Sequence, residues 1–296
     1  MKTKQIIVTL AGSLAAIVAA AACAVDPEPT PAVAPTGEIA QATDLLTFDT
    51  SGIAAAPGAA LPAQPLSLTA FATAPLQRGL LRVSETFATT NRVGTRTYSE
   101  SATWHAEINP MGGQILAVSQ TPSGPAVVQS ERVLGADAVQ RLTAFGVPSA
   151  ELGPVVQRRS LSLDEQDGTT AATPTVEGYK TFAARGLNGV RVRGHRAVLT
   201  YGPDGQFRRA LLKWPALAAS GHKLRTPLAT ADIVTRATRA LAAEGVTSGA
   251  IKLAWVYVPT ATPTGEVTLE LEVMALVPTD PGLGEGRAVD VAIDAS

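Results

Sequence analysis

Alternation of apolar and polar residues predicts a β-hairpin in the first half of the chain. Trp104, Ala106 and Ile108 alternate with polar residues, and this period of two is typical of a strand with one buried face. A Pro-Met-Gly-Gly segment follows and supplies the residues of a turn. The pattern therefore predicts paired strands at 98–108 and 114–120.

Two segments instead have the apolar spacing of amphipathic helices, at 135–145 and at 230–244. Their apolar stripes are Ala138, Val139, Leu142 and Phe145 in the first, and Ile233, Val234, Ala237, Ala240 and Leu241 in the second. A Gly-Val pair follows each stripe, and glycine suits the left-handed end of a helix. The repeated order of helix, Gly-Val and strands indicates either a diverged duplication or two unrelated helices that share the commonest cap residue.

The remaining apolar runs are short and are separated by turn residues, which indicates further strands. They lie at 80–87, 179–184, 190–192, 196–201, 206–214, 252–258 and 267–277. Together with the two helices they predict an α+β fold, with antiparallel sheet and two main helices, built as one unit or as two helix-then-strands units. We expect the domain at 67–295, either undivided or divided near residue 134 or 220.

The first residues have the features of an export signal, which we assign to 1–22. Lys2 and Lys4 precede an apolar run, and small residues lead to Cys23. The alanines before Cys23 resemble the lipobox of bacterial lipoproteins, although Ala20 stands where that motif has leucine. The resemblance implies lipid on Cys23 and a place in the cell envelope. Ordinary cleavage followed by secretion is the alternative.

The stretch that follows, 23–66, is rich in alanine, proline and threonine, with prolines at 27, 29, 31 and 35. Such spacing opposes both helix and sheet, so we expect a semi-extended tether or a poorly ordered tail. A short segment, 45–48, could still dock on the domain. By the sorting pattern of such lipoproteins, Ala24 favours the outer membrane.

Charge and cysteine content exclude several kinds of partner and site. The formal net charge is −1 and becomes about −3 without 1–22, so the chain as a whole does not attract nucleic acid or anionic membranes. Cys23 is the only cysteine. A disulfide within the chain, a thiolate metal cluster and a catalytic cysteine further along are therefore excluded.

No motif indicates catalysis, and we expect neither an enzyme nor a cofactor or metal site. The zinc helix HExxH, the nucleophile elbow GxSxG and the phosphate loop GxxxxGK[ST] do not occur. His105 and Glu107 lie on the same face of a predicted strand. Three interpretations of the two side chains are open: metal ligands, a pair that shares a proton, or a polar pair that faces solvent. His195 follows Arg191 and Arg193 and is interpreted as part of a basic surface or turn. His222 has no evident partner.

Basic residues gather around the turn at 203–205, on the strands that flank it. They are Arg191, Arg193, Arg196, Arg208, Arg209 and Lys213. Such a group forms either a binding face for carboxylates, phosphates or an acidic protein, or an ordinary solvated sheet face. No aromatic residues interleave with these cations, which argues against single-stranded nucleic acid.

The stretch 185–214 resembles the strands of PepSY-like domains, in which an Asn-Gly-Val segment precedes an extended strand and an Asp-Gly turn. The matching residues are Asn188, Gly189, Val190, Val192, Gly194, Asp204 and Gly205. The resemblance covers about 30 of the 296 positions. It implies helices packed on an antiparallel sheet, and roles in inhibiting, chaperoning or docking peptidases and other envelope components.

These features together predict a lipid-anchored, non-catalytic protein of the cell envelope. Its expected partners are membrane lipid, through Cys23, and another envelope or secreted protein that it inhibits, chaperones or helps to assemble. The alternatives are a structural surface lipoprotein without a specific ligand, and a hydrolase of unrecognised type.

Overall fold

The computed structural model describes residues 45–55, 57, 73–162, 175–217, 228–261, 267–278, 286–287 and 292–294. The signal sequence, Cys23, most of the 23–66 stretch and His222 lie outside the described residues.

Strands form most of the described chain. They are β1 Leu46–Gly52, β2 Ala88–Val93, β3 Arg96–Glu100, β4 Trp104–Asn109, β5 Gln114–Ser119, β6 Leu152–Ser162, β7 Thr175–Leu187, β8 Val190–Tyr201, β9 Phe207–Lys213, β10 Gly249–Ala261, β11 Val267–Pro278, β12 Gly286–Arg287 and β13 Ala292–Asp294. The helices are the single-turn α1 Thr73–Pro75, a π-helix at Leu76–Leu81, α2 Glu131–Phe145, a 3-10 turn at Ser149–Glu151, and α3 Thr230–Ala243. The fold is α+β, with three α-helices in this part of the chain instead of the two expected.

The described strands form one branched sheet. Its larger arm is antiparallel throughout, in the order β2-β3-β4-β5-β9-β8-β7-β6. In the smaller arm β10 pairs with β11, and β11 with β12 and β13. The arms meet where Arg191 and Val192 of β8 pair in parallel with β10. Strand β8 therefore belongs to both arms.

Two hydrophobic cores lie against the two arms. In the first, α2 buries Leu134, Ala138, Leu142 and Phe145 against β4, β5 and β7–β9. In the second, α3 buries an apolar stripe against β10 and β11. The first residues of β8 contribute to the second core and its later residues to the first. The helical spacing read from the sequence thus identifies the buried faces of both main helices.

Both helices end in the same hydrogen-bonded motif. The Val147 amide donates to the Leu142 carbonyl at 2.9 Å, and the Val246 amide donates to the Leu241 carbonyl at 2.9 Å. The intervening Gly146 and Gly245 have φ of 115° and 76°, the left-handed conformation that glycine adopts without strain. The repeated Gly-Val pair therefore has one physical role at both helix ends.

The strand expected at 80–87 is wrong. Its first residues complete the π-helix, in which Leu76, Leu80 and Leu81 are buried against α2. A Cβ atom on Gly79 would lie 2.5 Å from the Ala144 carbonyl oxygen, so the two backbones approach too closely for any other residue. Packing against α2 overrides the strand propensity of the apolar run.

Three further differences from the sequence-based expectation concern the strands: one is split, two are joined, and one was missed. The single strand expected at 98–108 is split into β3 and β4, because a turn at Ser101 intervenes and the Trp104 amide donates to its hydroxyl oxygen at 3.0 Å. The strands expected at 190–192 and 196–201 are one strand, β8, with Gly194 at φ 70° between them. Strand β6 was not anticipated.

The segment 45–48 does dock on the domain, as part of β1. This strand pairs in parallel with β10, from Leu46 opposite Gly249 to Gly52 opposite Ala254. Ile53 is buried in the second core, and the Trp255 indole N–H donates to the Ala55 carbonyl at 2.9 Å. Part of the 23–66 stretch is therefore a strand of the sheet.

None of the helices among the described residues has the length and apolar character needed to span a membrane.

Because Leu46 of β1 and Ile53, which directly follows β1, are buried in the second core, substitutions at these positions should lower stability. We expect Ile53→Ala to lower the free energy of unfolding by about 2 kcal/mol or more, since it leaves a cavity in a packed core. Leu45→Ala is the control, because that side chain is 63% exposed while Ile53 is 3% exposed. Urea unfolding followed by tryptophan fluorescence measures both, and equal midpoints for the two variants would contradict the docking of β1.

Candidate functional site

The larger arm of the sheet has one face covered by α2 and one that no described helix covers. On β7, β8 and β9 the residues that face α2 are small or apolar and buried, among them Ala183, Leu199 and Leu212. The residues between them point to the opposite side, because side chains alternate along a strand. We call this opposite side of β6, β7, β8, β9 and β5 the outer face.

A line of apolar side chains crosses the middle of the outer face. Strand pairing places Val156 opposite Phe182, Phe182 opposite Val198, Val198 opposite Leu211, and Leu211 opposite Leu116. Val156 is 42% exposed, and the other four side chains are half-buried. We call these five residues the apolar row.

Cations flank the apolar row on both sides, two residues along each strand. On one side Arg158 lies opposite Lys180, and Arg209 follows two strands further on, with Thr200 of β8 between Lys180 and Arg209. On the other side Arg196 lies opposite Lys213. These two lines, with five cations in all, are the cationic rows.

The acidic residues of β3 and β4 on this side are paired, and Glu177 of β7 lines a second pocket together with Lys180 and Thr200. Glu107 accepts from Arg96 at 3.0 Å, and Glu100 contacts the His105 ring at 3.0 Å. Within the described residues, the five cations of the cationic rows form no ion pair. The outer face therefore carries more positive than negative charge around an apolar centre.

Arg196 and Lys213 border an open groove of about 410 Å³. The groove is also lined by the side-chain amides of Gln114 and Asn109 and by the apolar side chain of Leu211. Burial lowers the pKa of Arg196, and the nearby Arg191 lowers it further. Glu107 also lines the groove, and its carboxylate is paired with Arg96. The two cations, the amide groups and the apolar surface of the groove suit a carboxylate attached to an apolar group.

Behind this groove lies a buried ion pair between Arg185 and Glu151. The Arg185 Nε donates to Glu151 Oε2 at 2.8 Å, and both side chains are almost fully buried, 0% and 1% exposed. Arg185 Nη1 also donates to the Pro215 carbonyl at 2.6 Å, and the Trp214 indole donates to the same Glu151 oxygen at 2.9 Å. The pair connects β7, the 3-10 turn and the chain leaving β9.

His195 belongs to this buried group, so the expectation that it lies on a basic surface or in a turn is wrong. Its Nδ1 lies 3.4 Å from Arg185 Nη1, and its side chain is 2% exposed. Burial lowers the pKa of His195 to about 3, with further lowering by the positive charges of Arg185 and Lys213. The imidazole is therefore neutral at physiological pH, and it adds no charge beside the buried guanidinium.

The six basic residues selected from the sequence fall into different places. Arg196, Arg209 and Lys213 share the outer face. Arg191 is exposed on the part of β8 that pairs with β10, and Arg193 is half-buried nearby.

Arg208 does not join the cationic rows. A bulge in β9 turns its side chain to the turn after β8, where it pairs with Asp204 at 2.5 Å and donates to the Thr121 carbonyl at 3.2 Å. Its role there is structural, because it ties the segment before α2 to this turn.

Sequence reasoning missed Arg158 and Lys180. Strand pairing alone places both in one line with Arg209, from which Thr200 of β8 separates them. Lys180 lies in a segment that the sequence predicts as a strand, but β6 and its register were not predicted.

The His105 and Glu107 side chains share a face, but each has a different partner, Glu100 and Arg96 respectively. Across the described ranges there is no group of three or more His, Cys, Asp or Glu residues placed to hold a metal ion.

Comparison with known proteins gives a similarity in structure and none in sequence family. No protein-family model matches this chain, and no curated protein matches it. Among solved structures it is similar to the Bacillus megaterium YpeB C-terminal domain, with a TM-score of 0.35 and 11% sequence identity, covering 76% of this chain and 98% of that domain. A similarity at this TM-score carries no argument about function.

The low pKa of His195 makes stability depend on pH. The unfolded chain binds a proton on this ring below about pH 6.5, whereas the folded chain binds it only near pH 3. The free energy of unfolding is therefore highest above pH 6.5 and decreases as the pH falls from 6.5 towards 3. We expect a slope of up to about 1.4 kcal/mol per pH unit from this group.

The measurement is urea unfolding at a series of pH values from 7.5 to 4.5, comparing wild type with His195→Asn. The variant should lose part of the pH slope, because its amide does not titrate. His105→Asn, at a half-exposed position, controls for removal of an imidazole at the surface. Identical slopes for wild type and His195→Asn would count against a buried neutral imidazole.

Proposed function

We propose that this protein is exported, is held at a membrane by lipid on Cys23, and binds another envelope or secreted protein through its outer face. The observation that carries this proposal is the apolar row between two cationic rows, on a side of the sheet that no described helix covers. Binding, and not catalysis, is the role that this surface suits.

The physical argument rests on what surrounds the apolar row. One face of an antiparallel sheet can remain in water, but it is then usually polar along its whole length. Here the centre is apolar and the surrounding positions are charged, which is the arrangement of a protein-binding surface with an apolar core and a polar rim. Covering the half-buried row would remove apolar area from water, at roughly 25 cal/mol per Å².

The export signal and the proline-rich stretch support the same proposal. An extended chain from Cys23 to Leu45 could reach up to roughly 70 Å from a lipid surface, at about 3.1 Å per residue. A domain on such a tether can search for a partner in the space around the membrane. The PepSY-like resemblance of 185–214 also favours a docking role, because β8 and β9 lie within this stretch and provide three of the five cations of the cationic rows.

The membrane anchor is tested by expressing the full chain in a bacterial host, as wild type and as Cys23→Ala. We expect the wild type to carry acyl chains on Cys23 and to partition with membranes, since buried acyl carbons contribute roughly 0.8 kcal/mol per methylene. The variant should be unprocessed or soluble. Intact mass and membrane fractionation measure both, and a soluble wild type with an unmodified N-terminus would refute the anchor.

Binding through the outer face is tested by placing a photo-reactive amino acid at Leu211, in the apolar row, in the same cells. We expect a discrete cross-linked product, identified by mass spectrometry, because a bound partner would cover that side chain. Val133, on α2 and 60% exposed, is the matched control and should give none. Equal products from both positions, or none from Leu211, would contradict the proposed binding face.

A further inference from the structure

We infer that the partner of the outer face is an acidic protein segment, which presents apolar side chains to the apolar row and carboxylates to the cationic rows. This inference rests on the proposed function and specifies the chemistry of the partner.

Charge complementarity is the first argument. Arg158, Lys180, Arg196, Arg209 and Lys213 lie on four adjacent strands and form no ion pair within the described residues. The chain as a whole has a net charge of −1, so these five charges are a local excess and not part of a generally basic protein. Arginine guanidinium groups bind carboxylates through paired, charge-assisted hydrogen bonds.

The spacing of the rows is the second argument. Neighbouring strands lie about 4.8 Å apart, so the apolar row extends roughly 19 Å across five strands, and the cationic rows lie roughly 13 Å from each other. This area is well below the 800 Å² or so that each partner buries in a standard protein interface. It is the size of a short segment with an apolar centre and acidic residues on either side.

Surface relief argues against a lipid membrane as the occupant. Interfacial binding to lipid needs apolar side chains that protrude into the acyl region. Phe182, Val198, Leu211 and Leu116 are instead half-buried between their neighbours. A partner segment can reach them by laying its own apolar side chains on the sheet, whereas a lipid surface cannot.

The test measures binding of a fluorescent peptide to the purified full-length protein by anisotropy. The peptide has an apolar centre and glutamates on both flanks, and a matched peptide has glutamine at each glutamate position. We expect the acidic peptide to bind at least about tenfold more tightly than the neutral one, and to weaken as salt is raised to physiological strength, because exposed charges are then screened.

Variants of the protein provide the second half of the test. Neutralising the rows with Arg196→Gln, Arg209→Gln and Lys213→Gln together should raise the dissociation constant of the acidic peptide at least about tenfold. The control carries Arg196→Lys, Arg209→Lys and Lys213→Arg, which keep the charge, and it should remain within about threefold of wild type. Circular dichroism checks that both triple variants are folded.

Three results would overturn the inference: equal binding of the acidic and neutral peptides, no binding of either, or charge-dependent binding of phosphatidylglycerol vesicles in place of the acidic peptide. The cross-link from Leu211 separates this failure from failure of the proposed function. If a partner is cross-linked at Leu211 but the acidic and neutral peptides bind equally, the proposed binding face stands and its partner is not acidic.

Discussion

The constraint on which the rest of this structure depends is the buried ion pair of Arg185 and Glu151. A guanidinium removed from water needs its carboxylate partner, and leaving such a charge unpaired costs about 3–5 kcal/mol. Arg185 meets this need with Glu151, the Pro215 carbonyl and His195, which come from three different segments. The pair therefore holds the chain together at the place where β7 and β8 leave the first core and enter the second.

The same buried group determines the geometry of the outer face. His195 and Trp214 are held inside by Arg185 and Glu151, so their chain neighbours Arg196 and Lys213 lie on the outside, opposite each other on paired strands. The low pKa of His195 keeps the interior from gaining a second positive charge near Arg185. A surface that carries five cations thus has a rigid support directly beneath one of its rows, which reduces the entropy lost when a partner orders the surface side chains.

Local patterns were sufficient wherever one element buries one face. The alternation at Trp104, Ala106 and Ile108 identified a buried strand face, and the apolar stripes identified the buried sides of α2 and α3. The local patterns gave wrong or missing elements where packing against a segment distant in sequence determines the structure. The run at 80–87 became a π-helix and irregular chain because of α2, and β6 has a pattern interrupted by Pro154 and by three polar residues in succession, Gln157, Arg158 and Arg159.

The sequence by itself was enough for the α+β class, the two main helices with their Gly-Val ends, most of the strands, and a basic stretch around the turn at 203–205, because each of these depends on residues close together in the chain. The sequence could not predict which of the basic side chains lie together on the outer face. Arg158 and Lys180 join Arg209 across the sheet, and Arg208 leaves the group for Asp204. Strand register and a single bulge control both outcomes, and these are set by packing between segments far apart in sequence.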